Sequence, residues 1–402
     1  MRVAFSAALL AGVSFQVHAD VVTDWNEQGV QVVTKGNPPA FMQTRNLAIM
    51  HLAVFDAVDA IDRRYTPYLE QPPAKPGASR EAAAAAAAHV ALVRLYPDQA
   101  KDIDVRYAAS MAAIPEGDAK SDGIKLGEKA AADLLAARAK DGSDAPPKYR
   151  PHTAPGVYVP TMLPVAINWG GVTPFALAKS AQFRPAPPPA LTSALWKKDV
   201  DEVKRMGAKS GSGRTPDQTE IARFWEATGP VLHNQILRQL AAAKGLDLLD
   251  NARLFALYSM AMADSYIAIF DAKYTYNFWR PVTAIRNGDM GGKALTEGDD
   301  GWEPLIPTPM HPEYPCAHCV NAAAGATVLQ AFFGDTVAEF TMKSPSNASY
   351  TRKFTRLSDY ANEAIEARVY DGVHYRNSGE VGAAMGRQIG KYAMENSLKP
   401  VR

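Results

Sequence analysis

The sequence predicts an all-α fold, a helical bundle interrupted by one long, proline-rich but ordered loop. Three observations carry that prediction. Apolar residues recur at steps of three and four through much of the chain. Alanine-rich stretches are closed by proline or glycine. Alternating β-branched runs joined by hairpin turn pairs are almost absent.

The first segment is not part of that fold. Met1-Arg2 gives a positive start, and Val3 to Val17 is apolar apart from Ser6, Gly12, Ser14 and Gln16. Val17-His18-Ala19 then fits a signal-peptidase site. The run is shorter than the roughly 20 residues that span a bilayer. Residues 1–19 are therefore expected to be a cleaved export signal, and the mature protein is expected in the periplasm or outside the cell. No later stretch reaches spanning length without charges, so no membrane span is expected.

The mature chain divides into an N-terminal helical region, 20–245, and a C-terminal helical core, 246–402. Leu47, Met50, Val54, Val58 and Ile61 form one apolar stripe. Glu81 to Leu95 follows a cap at Ser79 and ends before Pro97; Ile124 to Lys140 is closed by Gly142. Thr215-Pro216-Asp217 reads as a cap with proline in the first turn, opening long helices near 217–243 and 248–273. Between Ser143 and Ala190 lie eleven prolines, which no long helix passes through. Tyr149, Tyr158, Trp169 and Phe175 in the same segment argue against a free linker. Residues 143–190 are expected to lie as an ordered loop over the helices.

Composition excludes several functions. Lys and Arg number 43 against 42 Asp and Glu, and the leader removes Arg2, so the mature chain is balanced. It lacks the basic excess that nucleic acid attracts. With 47% hydrophobic and 21% charged residues it is not disordered, and two cysteines build no disulfide scaffold. A homo-oligomer is compatible with this composition.

Three pieces of sequence carry chemistry. Lys273 and Arg280 are seven residues apart, so a continuing helix would present both on one face, although Pro281 discourages continuation. Pro315-Cys316-Ala317-His318-Cys319 opens an alanine-rich helical run to Leu329, whose first-turn amides and dipole would face an anion. Arg368 and His374 are six residues apart, off phase for a straight helix, and Gly372 marks a bend that brings both to one site. Three cations, an amide nest and two histidines suit a tetrahedral or trigonal-bipyramidal oxyanion.

In order and spacing, Lys273…Arg280-Pro281, Pro315-x-x-His318 and Arg368-x5-His374 resemble the three-part signature of type 2 phosphatidic acid phosphatases and vanadium-dependent haloperoxidases. Trp25-Asn26-Glu27, Arg45 to Tyr68, Tyr276 to Arg286 and Glu313-Tyr314-Pro315 are similar to the soluble bacterial haloperoxidase branch. The resemblance covers nearly the whole mature chain and implies that branch's helical-bundle fold. It assigns Lys273, Arg280, Arg368, Cys316 and Ala317 to the oxyanion, and His318 to acid–base work. His374 becomes the apical vanadate ligand in a peroxidase, or the phosphoryl-accepting nucleophile in a phosphatase. His311 falls near the halide, where algal bromoperoxidases are similar in having His and the fungal chloroperoxidase has Phe.

The departures bear on chemistry. Cys316 and Ala317 stand where the family usually has Ser and Gly, and a thiol donates a weaker hydrogen bond. Cys316 and Cys319 form a Cys-x-x-Cys pair that an oxidising compartment would allow to close. Ser378 stands where the phosphatase pattern has the Asp that orients His374, leaving Asp371 and Glu380 as candidates.

The resemblance implies a vanadate-dependent haloperoxidase using hydrogen peroxide and halide. The alternative is an exported acid phosphatase acting on a phosphate ester through a phosphohistidine, with no cofactor. A thiol oxidoreductase using Cys316 and Cys319 is a third reading, without the expected βαβ context, and a degenerate, non-catalytic binding protein is a fourth. His51 and His89 read as packed or surface residues, and His152 and His233 show no ligand spacing. Asp264 and Asp271 read either as partners of the cationic cluster or as water-facing.

Overall fold

The computed structural model describes residues 20–160, 162–289 and 296–401. The predicted export signal, 1–19, lies outside the described residues. Helix α1 (Val21–Thr34) starts where the Asp20 carboxylate accepts the Thr23 amide. Helix α2 (Ala40–Asp62) carries the predicted stripe but is buried on every side from Leu47 to Ala60. Helix α3 (Arg80–Leu95) is capped by Ser79 as its sequence predicts. Helix α4 (Ala100–Ala112) follows, and then α5 (Asp118–Arg138) lies against α3 almost backbone to backbone. Gly123 and Gly127 permit this, since a Cβ at either would collide with the Ser79 or Ala83 carbonyl.

After the loop come α6 (Ala194–Met206), α7 (Pro216–Phe224), α8 (Pro230–Lys244) and α9 (Leu248–Tyr276). The single helix predicted over 217–243 is in fact two. Gly229 takes φ +100, a conformation that favours glycine, and Pro230 opens α8 without needing an amide donor. Helix α9 is long and apolar enough to cross a bilayer, but 94% of its most apolar window is covered by neighbouring segments. It is the central core helix. Helices α10 (Pro281–Arg286) and α11 (Ala317–Phe333) precede a hairpin of β1 (Thr336–Lys343) and β2 (Thr351–Arg356), and α12 (Leu357–Tyr370) and α13 (Arg376–Asn396) follow it.

The hairpin is a small exception to the predicted all-α architecture. Its outer edge is satisfied by side chains of α8. Gln239 exchanges hydrogen bonds with the Thr341 backbone, and Gln235 does so with Lys343. The main apolar core draws on residues from Val22 to Leu398, so the segments 20–245 and 246–402 share it. Helix α13 approaches α11 closely along Gly382, Gly386 and Gly390, whose missing side chains leave room for the carbonyls of Cys316, Val320 and Ala324.

The proline-rich segment is strapped to α9. The Asp264 carboxylate accepts the amides of Phe175 (2.6 Å), Ala176 (2.7 Å) and Leu177 (2.9 Å). Burial pushes its pKa up to about 6 against the pull of those three amides. One turn pair further on, Asp271 holds Arg184 through two bonds of 2.8 Å. Neither aspartate joins the cationic cluster or simply faces water, which corrects both sequence readings of them. Trp169 fills the space beneath the loop. His51 is buried and accepts from Asn26 Nδ2, His89 pairs with Asp104, and His233 lies against the Tyr360 hydroxyl.

Candidate active site

Three distant segments converge at the C-terminal end of α9. Lys273, in its last turn, is fully buried and donates Nζ to the carbonyls of Pro312 (2.9 Å) and Glu313 (2.8 Å). The helix does not continue to Arg280 on one face. It ends at Asn277 in the left-handed conformation, and Arg280 returns as the N-cap of α10. Arg280 donates Nε to the His311 carbonyl (2.9 Å) and Nη1 to that of Val373 (2.8 Å); Nη2 lies 3.0 Å from His311 Nδ1. The third segment turns at Gly372, with φ +78 and Pro304 and Gly207 packed where a side chain would go. That bend points Arg368 and His374 to one place, as their spacing required.

His374 is fixed by a carboxylate that the spacing did not identify. Its Nδ1 donates to Glu313 Oε1 at 2.7 Å, and the Tyr375 amide reaches the same oxygen at 3.2 Å. With the proton on Nδ1, Nε2 keeps its lone pair and lies 3.2 Å from Arg280 Nη1. The two residues expected to orient His374 do other things. Asp371 pairs with Arg368 Nη1 at 2.5 Å, and Glu380 is exposed. Burial raises the Glu313 pKa to about 7 against the pull of Lys273 and Arg280, and the buried Ser378 hydroxyl makes no hydrogen bond of standard geometry. Glu313 stands 61 residues before His374 in the chain, so no local pattern links them.

Electrostatics make this a site for an anion. Burial and then Arg280 push Lys273 well below its ordinary pKa. Burial followed by the three cations depresses His374 and, with His233 as a further contributor, His318. Arg280 is lowered to about 10, first by burial and then by Arg368 despite the opposing pull of Glu313. Mutual repulsion at this density is relieved by a bound oxyanion. Arg368 Nε and His318 Nε2 are buried without a hydrogen-bond partner among the described residues, and the first turn of α11 brings helix amides alongside. Vanadate or phosphate fits this donor set: guanidinium and ammonium groups for the oxygens, helix amides, and one imidazole lone pair.

Cys316 departs from its expected role. It is disulfide-bonded to Cys319, and its sulfur caps α11 by accepting the Cys319 amide at 3.3 Å. No thiol is left to donate to an oxyanion, so the backbone at Ala317 and His318 takes over that side. Both sulfurs are fully buried in helical surroundings, out of reach of a partner disulfide, which removes the thiol-oxidoreductase reading.

A cavity of about 380 Å³ opens onto the cradle. Ala317, His318, Arg368, His374 and His311 line its floor, and Lys273 and Arg280 back it. Its walls add Glu226, Thr228, Phe41 and Phe270, none of which carries a sequence motif.

Residues 253–402 match the family described as the VCPO second helical-bundle domain. An alignment 213 positions long, covering 44% of the chain, is 26% identical to the vanadium chloroperoxidase of Curvularia inaequalis, and it spans only 34% of that protein's length. Among solved structures, a bacterial vanadium-dependent iodoperoxidase is 26% identical, with a TM-score of 0.80 over 96% of this chain and 99% of that one. A holo-type bacterial vanadium-dependent chloroperoxidase, 17% identical, shares the fold at a TM-score of 0.72 over 95% and 98% of the two chains. With the three motifs gathered around one buried cradle, the chain is similar in fold to vanadium-dependent haloperoxidases over nearly its whole length, and its residues 253–402 match their second helical-bundle domain.

Proposed function

We propose that this protein is a vanadate-dependent haloperoxidase that oxidises halide with hydrogen peroxide, H2O2 + X− + H+ giving HOX + H2O. The observation that carries the reading is His374 Nε2. Glu313 holds it as a lone-pair donor inside a buried ring of three cations. The similarity to a vanadium-dependent iodoperoxidase along nearly the full length supports the same reading.

Lys273, Arg280 and Arg368 would hold the vanadate oxygens, with the α11 amides at Ala317 and His318 beside them, and His374 Nε2 would be the protein ligand. Bound vanadate supplies a Lewis acid for peroxide activation. Glu313 keeps the His374 tautomer fixed and raises its donor strength. His318, neutral because burial and the cations depress its pKa, accepts the peroxide proton at Nε2. The cavity walls restrict water around these charges, which strengthens each interaction. Export to the periplasm or beyond belongs to the same proposal and is supported by the leader-like residues 1–19.

The test is an assay of the purified protein with orthovanadate, peroxide and bromide or iodide, run beside phosphate-ester hydrolysis. Halide oxidation that requires vanadate is the expected result. Ester hydrolysis inhibited by vanadate, with no halide oxidised, would instead assign the cradle to an acid phosphatase with His374 as nucleophile.

A further inference from the structure

A second cavity lies behind the cradle and, among the described residues, shares no wall with the first. Its volume of about 510 Å³ is in the range of small-molecule sites, roughly 300–1,000 Å³. It sits between residues 153–159 of the proline-rich loop and residues 279–287, which include α10. The backbone at Arg280 is extended (φ −80, ψ 156), so the side chains of Trp279 and Arg280 leave the chain on opposite faces. Arg280 turns to His311 and His374, and Trp279 turns to the second cavity.

The walls are fixed by the fold. The Trp279 amide donates to the Gly156 carbonyl (3.0 Å) and the Tyr158 amide to that of Asn277 (2.8 Å), which ties the loop to the segment carrying the tryptophan. The Trp279 ring stacks on the buried Trp196 with centroids 5.9 Å apart and 19° between planes. Pro155, Val159 and Val282 complete an apolar wall beside it. Val159 is 39% exposed, so apolar surface stands uncovered at the rim. An indole wall beside aliphatic side chains is best covered by a flat ring.

One charge restricts the ligand further. Among the described residues that line this cavity, Arg286 alone is ionic, and no acid faces it there. Its Nε donates to the Trp302 carbonyl at 2.8 Å, which orients the guanidinium and leaves its terminal N–H groups without a hydrogen-bond partner among the described residues. Glu303, whose charge Arg286 feels, is exposed and paired with Lys209 at 2.9 Å. A planar guanidinium with free terminal N–H groups matches a carboxylate through two parallel bonds.

We propose that this second cavity is a binding site for a flat aromatic carboxylic acid, its ring against Trp279 and Val282 and its carboxylate on Arg286. One cation matches one negative charge, whereas the cradle, with three, suits a more highly charged oxyanion. Arg286 is exposed, so the ring supplies most of the affinity and the guanidinium selects the charge. The site is independent of the chemistry at the cradle and stands whether halide or a phosphate ester reacts there.

The test is a calorimetric titration of 2-naphthoate, and of the uncharged 2-naphthamide, into protein held in excess orthovanadate so that the cradle is occupied. Wild type, Arg286→Gln and Val282→Trp are compared, with thermal unfolding as the check on folding. The wild type should bind 2-naphthoate saturably and about fivefold more tightly than the amide, a preference that Arg286→Gln removes. Val282→Trp fills the cavity and should weaken both ligands about tenfold or more. Arg286→Gln changes only an exposed side chain, so it decides the matter even if Val282→Trp does not fold. No saturable binding overturns the proposal, as does binding that neither variant changes, which would place the naphthoate in the cradle. Sedimentation run in parallel covers the remaining occupant: a dimer broken by Val282→Trp, with no naphthoate bound, would assign this face to a second copy of the chain and overturn the proposal too.

Discussion

The packing of α3 on α5 and the cradle at the end of α9 are both closed to water, for opposite reasons. In the first, seven consecutive alanines from Ala82 to Ala88 and two glycines let two backbones touch, and dispersion with apolar burial stabilises the contact. In the second, Lys273, Arg280 and Arg368 are desolvated within one another's fields, and each is held by backbone carbonyls or by a buried acid. The first region is at rest as it stands. The second is held open by its surroundings, and a bound anion relaxes it. The lesson is that burial alone says nothing about role, whereas burial of like charges without enough counter-charge marks a binding site.

The largest expected effect breaks the cradle. Arg368→Ala leaves Asp371 buried without its partner and should cost about 3–5 kcal/mol of stability in addition to abolishing oxyanion affinity. Arg368→Ala/Asp371→Ala should recover much of the stability and none of the affinity, which chemical denaturation and vanadate titration separate. An equal loss of stability in single and double variants would mean that Arg368 acts by packing.

The dry contact should fail the other way round. Gly127→Val forces α5 away from α3 and should cost about 3 kcal/mol, the upper end of overpacking. Vanadate affinity of the folded fraction should be unchanged in a calorimetric titration. Glu313→Gln sharpens the comparison within the cradle. It should lower vanadate affinity about 10–100-fold, with a small change in melting temperature. A large fall in melting temperature with unchanged affinity would make Glu313 a packing residue.

The smallest effect is a pH dependence outside the cradle. Burial holds His51 neutral, with its pKa lowered to about 3. The unfolded chain takes up a proton below about 6.5 that the folded chain refuses until about pH 3, so this contribution is complete above 6.5 and is lost as pH falls. Against His51→Gln, the wild type should lose stability between pH 6.5 and 4 with a relative slope of up to about 1.4 kcal/mol per pH unit. Parallel denaturation midpoints for the two proteins over that range would show that His51 is accessible to protons.

Much of this was legible in the sequence because it is written locally. Caps such as Ser79 and Thr215, the apolar stripe of α2 and the bend at Gly372 each depend on a few neighbouring residues. The three cradle segments were legible because their internal spacings are themselves the geometry. What escaped depends on partners far along the chain. The Glu313–His374 bond spans 61 residues, the Asp264 strap up to 89, and the glutamines that satisfy β1 lie 102 and 108 residues from it. The break at Gly229-Pro230 was visible as a residue pair, but the apolar period on both sides of it hid the interruption.

The close approach of α13 to α11 has a consequence for how this protein can change. Gly382, Gly386 and Gly390 set the position of the His318 segment through main-chain contact, so that segment is placed by backbone and not by the side chains around it. The cavity wall above it is built from other stretches, at Pro39 to Phe41, Val165 and Ile306 to Pro309. The wall and the floor of the cavity are thus free to vary separately. Substitution in the wall can reshape the space over the cradle while the backbone that carries His318 stays where it is.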